Sequence, residues 1–241
     1  MQPYFFPYIG YFQLMQKCDT WVIFDDIQFI DKGWINRNRI LHPEIKKKWQ
    51  FITIPILNKK QFSKIIDLEI SNKTDWQKTI LGKITFYKKI ANFYKNSYDL
   101  LNSVLNFSQG NLSKFLICNL EYMKNYLSLE LDIVVQSRDL KDINKKKFIN
   151  PGDWAFEIVK YLEGDIYINP FSGIDLFDPE KFEKNNIQLC SFMPHITKYN
   201  QHSRTFVENL SILDYLAWNG KENLLQEITK GTIEKINDKF F

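Results

Sequence analysis

The 241-residue chain predicts an α/β fold in one domain, with a mostly parallel sheet and a helical insert over about residues 70–130. Three patterns lead there. Short apolar runs end in polar residues at Trp21–Asp26, Asp132–Ser137 and Asp165–Asn169, as buried parallel strands do. Helical periods alternate with these runs. A long lysine- and aromatic-rich helical stretch interrupts the alternation from about Thr74.

The chain opens with Met1-Gln-Pro-Tyr-Phe-Phe-Pro-Tyr-Ile-Gly10, punctuated by Pro3 and Pro7. A short helix is expected over Tyr11–Lys17, after Gly10. Trp21–Phe24 is the first complete strand, closed by Asp25-Asp26. Asp31–Arg39 reads as a polar loop, and Trp49–Ile56 as a second β-rich run. Helix follows from Thr74 to Asn106. Leu112, Leu116, Leu120, Met123 and Leu127 then recur at three- and four-residue steps, which predicts a helix over Leu112–Leu129. Asp132–Ser137 is strand, Asp153–Leu162 helix, Asp165–Asn169 strand and Pro170–Gly173 a turn. Asp178 is the expected N-cap of a helix to Asn186, with Pro179 at its first position. A strand over Ile187–Phe192 and helices over Asn209–Trp218 and Lys221–Lys230 complete the order.

An apolar share of 44% with 25% charged residues suits a large core and excludes a mainly disordered chain. No run approaches the roughly 18 apolar residues of a membrane span, and no secretory leader is visible. Cys18, Cys118 and Cys190 are scattered and odd in number, which suits a reducing compartment and a cytoplasmic location. Cys190, inside a strand, reads as a core thiol. Of the 32 basic residues only Arg37, Arg39, Arg138 and Arg204 are arginines, so the forked guanidinium is the informative cation. The net charge of +4 points to no nucleic-acid partner, and the runs Lys46–Lys48 and Lys145–Lys147 read as solvated faces.

Ligands of open α/β sheets bind at the carboxyl ends of strands. That rule gathers a rim from Pro3–Gly10, Asp25-Asp26, Ser137-Arg138, Asn169–Gly173 and Met193–Gln201. Tyr8-Ile-Gly-Tyr11 is similar to the HxGH loop of nucleotidylyltransferases, with tyrosine in both histidine positions. This likeness makes the sheet Rossmann-like, but a neutral tyrosine lacks the charge that stabilises a transferring phosphate. Asp25 or Asp26 could serve as a base or a metal ligand, and adjacent strand residues point to opposite faces, so one at most faces a given pocket. His195 is a further base candidate. Gly33-Trp-Ile-Asn-Arg37 is dense in donors, with Trp34 able to stack on a sugar or base. His42, His195 and His202 are too irregularly spaced for a zinc set, so no metal is expected. There is no GxSxG, Walker loop or GxGxxG.

The chain resembles the WbqC-like family. The resemblance rests on Met1–Leu14, on Phe24-Asp-Asp-Ile-Gln28 with Gly33-Trp-Ile-Asn-Arg-Asn-Arg-Ile40, and on weaker matches at Tyr167–Pro170, Ser172-Gly173, Tyr199-Asn-Gln201 and Asn209–Asp214. Met193–Lys198 matches loosely. The resemblance implies a few residues ahead of the Met1-Gln-Pro motif, without which the first strand is cut short. It also implies a cytoplasmic protein of surface-polysaccharide or O-antigen synthesis, described loosely as a sugar-modifying transferase. The resulting expectation is N-acyl or aminoacyl (glycyl) transfer to a nucleotide-linked amino sugar, from an acyl or aminoacyl donor that a carrier protein could supply. Asp25 or His195 would be the base. Gln2, Tyr4, Tyr8, Gly10, Tyr11, Trp34, Asn36, Arg37, Ser137, Asn169, Gly173, Tyr199 and Gln201 would hold substrate. Two alternatives stay open: a nucleotidyl- or adenylate-forming enzyme, and a nucleotide-sugar binding or scaffolding protein without turnover.

Overall fold

The computed structural model describes residues 1–57, 59–107, 110–144, 150–202 and 204–236. The run Lys145–Lys147 lies outside them. The chain is a mixed α/β protein. Its helices are α1 (Ile9–Met15), α2 (Trp76–Ile84), α3 (Tyr94–Leu105), α4 (Leu112–Tyr126), α5 (Gln136–Asp139), α6 (Lys141–Asn144), α7 (Pro151–Tyr161), α8 (Pro179–Glu183) and α9 (Ile212–Glu227). Its strands are β1 (Thr20–Ile23), β2 (Arg37–Leu41), β3 (Trp49–Thr53), β4 (Ile56–Leu57), β5 (Glu69–Ile70), β6 (Asp132–Val135), β7 (Ile166–Pro170), β8 (Gln188–Met193) and β9 (Thr232–Lys235).

Instead of one mostly parallel sheet, the described strands form four small ones. β1 pairs with β6 in parallel, and β7 with β8 in parallel. β9 closes the β8 edge antiparallel, and β2–β3 and β4–β5 are antiparallel pairs. Met1 lies beside β1, its N donating to the Val22 carbonyl at 2.7 Å and its carbonyl accepting from Phe24 N at 2.8 Å. Beyond Met1 the β1 edge faces β7 across a cleft of about 380 Å³, roofed by Ala155, Ile158, Val159 and Leu162 near α7. That cleft divides the expected sheet.

The local chemistry explains most elements. Asn111 caps α4 by accepting from Lys114 N, and the predicted stripe Leu112, Leu116, Leu120, Met123 and Leu127 is buried. Asp178 caps α8 as expected, accepting from Lys181 N, with Pro179 following. The expected loop over Asp31–Arg39 instead becomes β2 from Arg37, because Asn38 and Ile40 turn inward and pair with Ile52 and Gln50 of β3. The two expected C-terminal helices run on as α9, across a kink at Gly220. There φ is +78°, and a Cβ would lie 2.8 Å from the Phe93 ring, so only glycine passes.

One large core joins the first loop, α1, β1–β3, α2–α4 and α9. A smaller one, with Phe156, Phe177, Phe182 and Leu189, lies under β7, β8 and α8. Phe182 stacks on Tyr167 at 5.7 Å and meets Phe156 edge-on at 5.2 Å. Each such ring contributes about 1.5–3 kcal/mol of burial. Cys190 is buried in β8, as a core thiol. Among the described residues no helix is long and apolar enough to cross a membrane.

Candidate functional site

The first loop is held by its own backbone. The Asn38 amide donates to the Phe5 and Phe6 carbonyls at 3.2 and 2.7 Å, and Ser211 Oγ to Phe6 at 2.9 Å. Ile212 N donates to the Pro7 carbonyl at 2.9 Å. These bonds hold Phe6 at φ +42° with its ring buried. Tyr11 is buried and donates to the Gln2 carbonyl at 3.0 Å. Tyr4 and Tyr8 stay half-buried, and desolvation raises both phenols above the usual tyrosine value. They are therefore neutral donors near pH 7. Gly10 makes room for Tyr8, whose ring carbon lies 2.4 Å from where a Cβ would stand.

Asp25, at the end of β1, is 1% exposed. Its carboxylate accepts from Ser137 N at 3.0 Å, Ser137 Oγ at 2.6 Å and Ser113 Oγ at 3.0 Å. It thereby ties β1 to the β6–α5 junction and to α4. Asp26 turns away and pairs with Lys64 at 2.8 Å. His195 lies at the surface, its main chain clasped by buried Gln13 through bonds of 2.7 and 3.1 Å. Asp25 and His195 thus bond to separate parts of the fold.

Tyr199 and Gln201 converge on Asp214 of α9. Tyr199 Oη donates to Asp214 Oδ2 at 2.5 Å and Gln201 Nε2 at 3.2 Å. Tyr87 Oη donates to Oδ1 and itself accepts from Leu41 N at 3.0 Å. Burial pushes the Asp214 carboxyl up to about 6, against the pull of those donors. From sequence alone, Asp214 has no role beyond its place in the Asn209–Asp214 match, and Tyr87 has none. The available signal was an aspartate set among Ile212, Leu213 and Leu216 on a largely apolar stretch of helix.

Asn169 lines the cleft between β1 and β7. Its amide donates to the Pro170 carbonyl at 2.9 Å and accepts from Tyr167 Oη at 3.2 Å. Gly173 packs against it, since a Cβ there would lie 2.8 Å from Asn169 Nδ2.

A second cleft, about 720 Å³, opens beyond the carboxyl end of β1. Gln2, Gln28, Phe29, Lys60, Gln61 and Phe62 are among its lining residues. Asp31 and Lys59, also in the lining, pair at 2.7 Å, which lowers the Asp31 carboxyl. Arg37 Nε donates to the Gly33 carbonyl at 3.0 Å and Nη2 to that of Lys32, so Arg37 clamps the turn that follows this lining. Asn36 donates to the Ile54 carbonyl at 2.8 Å. Of the expected site residues, Gln2 lines this cleft, and Trp34, Asn36 and Arg37 lie on the segment leaving it. Asp25 with Ser137, Tyr199 with Gln201, and Asn169 with Gly173 form three other polar groups. Among the described residues no three His, Cys, Asp or Glu side chains gather as a metal set.

The model of the WbqC-like protein family matches residues 2–226. The chain belongs to the WbqC-like family. It is also similar to the uncharacterized protein Rv1507c of Mycobacterium tuberculosis, with 26% identity over 225 residues, spanning 92% of this chain and 93% of that protein. No solved structure matches the chain.

Proposed function

We propose that this WbqC-like protein is a cytoplasmic transferase of surface-polysaccharide (O-antigen) synthesis, moving an N-acyl or aminoacyl group onto a nucleotide-linked amino sugar. The observation that carries the reading is the cleft at the carboxyl end of β1. It offers the amides of Gln2, Gln28 and Gln61 and the Lys60 amine beside the Phe29 and Phe62 rings. Sugar sites combine such amide donors with aromatic walls. Trp34 and Arg37 lie on the segment that leaves the cleft, outside its lining. The amine nitrogen bonds to the acyl carbon, the donor's leaving group departs, and one amine proton passes to Asp25 or His195.

The same reading takes the chain as one domain with α2–α4 as its helical insert. It also takes β6–β1 and β7–β8 as the two parts of a Rossmann-like sheet on either side of the β1–β7 cleft. In support, both pairs are parallel, and residues of β1 and β7 line that cleft together.

Incubation with nucleotide-linked amino sugars and a panel of acyl and aminoacyl donors tests the proposal by mass spectrometry. An acylated product, lost in Asp25→Asn or His195→Ala, is the expected result. No product and no binding of any nucleotide sugar would overturn it. The saturated hydrogen bonding of Asp25 favours a second reading, binding without turnover. That reading predicts ligand-induced stabilisation that is unchanged in His195→Ala. The outer faces of α2 and α3 do not support scaffolding through a helix face. Between Thr74 and Asn106 the one large apolar residue exposed among the described residues is Phe93, at 42%.

A further inference from the structure

Two stretches of this chain are strongly basic, residues 76–98 with lysines alone and residues 32–53 with two of the four arginines. Lys32–Thr53 holds six basic residues and one acidic, a net +5, against +4 for the whole protein. The segment is the β2–β3 hairpin with the turn that leads into it. Its inner face, with Asn38, Ile40 and Ile52, is buried. Its outer face carries Arg37 and Arg39, about 7 Å apart along the strand. Three aromatic rings interleave with them. The Arg37 guanidinium lies 4.2 Å from the Phe51 ring centre. That of Arg39 lies 5.0 Å from Trp34 and 5.2 Å from Trp49. Trp49 and Phe51 meet edge-on at 4.9 Å, and Trp34 is 39% exposed. The exposed Lys46 and Lys48 stand at the hairpin tip, while Lys47 is paired with Glu44.

These arginines have capacity to spare. Among the described residues, neither Arg37, Arg39 nor the nearby Arg204 has a carboxylate within ion-pair distance. Main-chain carbonyls hold them instead. Arg39 Nη2 donates to Asn209 at 3.3 Å, and Arg204 Nη2 to Pro43 at 3.1 Å, across the seam between β2 and the 204–211 loop. Arg39 Nε, and Arg204 Nε and Nη1, are buried without an acceptor.

We propose that the outer face of the β2–β3 hairpin binds an extended acidic saccharide, with Trp34, Trp49 and Phe51 against the sugar rings and the Arg37 and Arg39 forks on its carboxylates or phosphates. The choice of a saccharide rests on the transferase reading above, and it places the acidic glycan beside the nucleotide-sugar cleft. Trp34, the most exposed of the three rings, offers the surface on which the C–H groups of a sugar pack.

Calorimetric titration at low salt tests this with three probes: an oligogalacturonate, neutral maltohexaose and an oligothymidylate. Oligogalacturonate should bind and maltohexaose should not. Arg39→Lys and Arg37→Lys keep the charge but lose the fork and the ring stacking, so each should weaken binding about tenfold. Trp34→Ala, a surface change, should weaken it several-fold and stands in if an arginine variant fails to fold. Unchanged affinity in all three variants would reduce the face to diffuse charge and overturn the proposal. So would tighter binding of oligothymidylate. Glycan binding without acyl transfer leaves this inference standing and removes only the transferase reading. Acyl transfer without glycan binding does the reverse.

Discussion

The seam around Asp214 and the outer face of the β2–β3 hairpin both set polar groups among aromatic rings, yet they use them in opposite ways. At Asp214 each carboxylate oxygen has a protein donor, and the donors come from distant parts of the chain: Tyr87, Tyr199 and Gln201. On the hairpin, Arg37 and Arg39 lie on rings and carbonyls, and N–H groups of Arg39 and Arg204 go unmatched. Saturated polar groups in a core hold segments together. Guanidinium groups without a countercharge at a surface are where an anionic ligand gains most.

The sharpest way to break the contrast is Asp214→Ala. It strands three donors in the core and should cost about 3–5 kcal/mol, read from urea unfolding. Asp25→Ala leaves Ser113 and Ser137 unmatched and should cost about 2–3 kcal/mol in the same measurement. A larger loss of turnover than of stability in Asp25→Asn would assign that carboxylate to chemistry as well. Asp214 also gives a pH signature. Its folded-state pKa is raised, so its contribution is full below about pH 4 and is lost as pH rises through about 6. The change is on the order of 3 kcal/mol, and Asp214→Asn should flatten it in unfolding curves recorded from pH 4 to 7. The smallest expected effect lies on the other side of the comparison. Arg39→Lys should move stability by no more than about 0.5 kcal/mol, because no carboxylate partner is lost. A cost above about 2 kcal/mol would show the hairpin arginines to be structural and erase the contrast.

What could be read in advance follows from these differences. The core of α4 was legible because five apolar residues keep one face, and the cap of α8 because Asp178-Pro179 has a local cause. β2 was hidden because Arg37-Asn38-Arg39 shows no apolar alternation. Asn38 faces inward to serve the carbonyls of Phe5 and Phe6, a long-range reason no window contains. β9 was hidden because all four of its residues are exposed and only the ladder to β8 orders it. Gln2, Trp34 and Arg37 stood out from the residues themselves. The far wall of the cleft that Gln2 lines, Lys59–Phe62, has no motif and is brought there by the fold. The net charge also gained an address in part, since one of the two strongly basic stretches is the hairpin that holds two of the four arginines.

The first loop has one more consequence, in time rather than space. Its carbonyls are taken by Asn38 and by Ser211 and Ile212 at the start of α9, some two hundred residues later. Phe6 has no other evident reason to hold a left-handed backbone. On a ribosome emitting about 5–20 residues per second, the loop must wait for those two hundred residues before these partners exist. The loop is therefore expected to be among the last segments to settle, and a chain that stops short of α9 leaves its carbonyls without these partners.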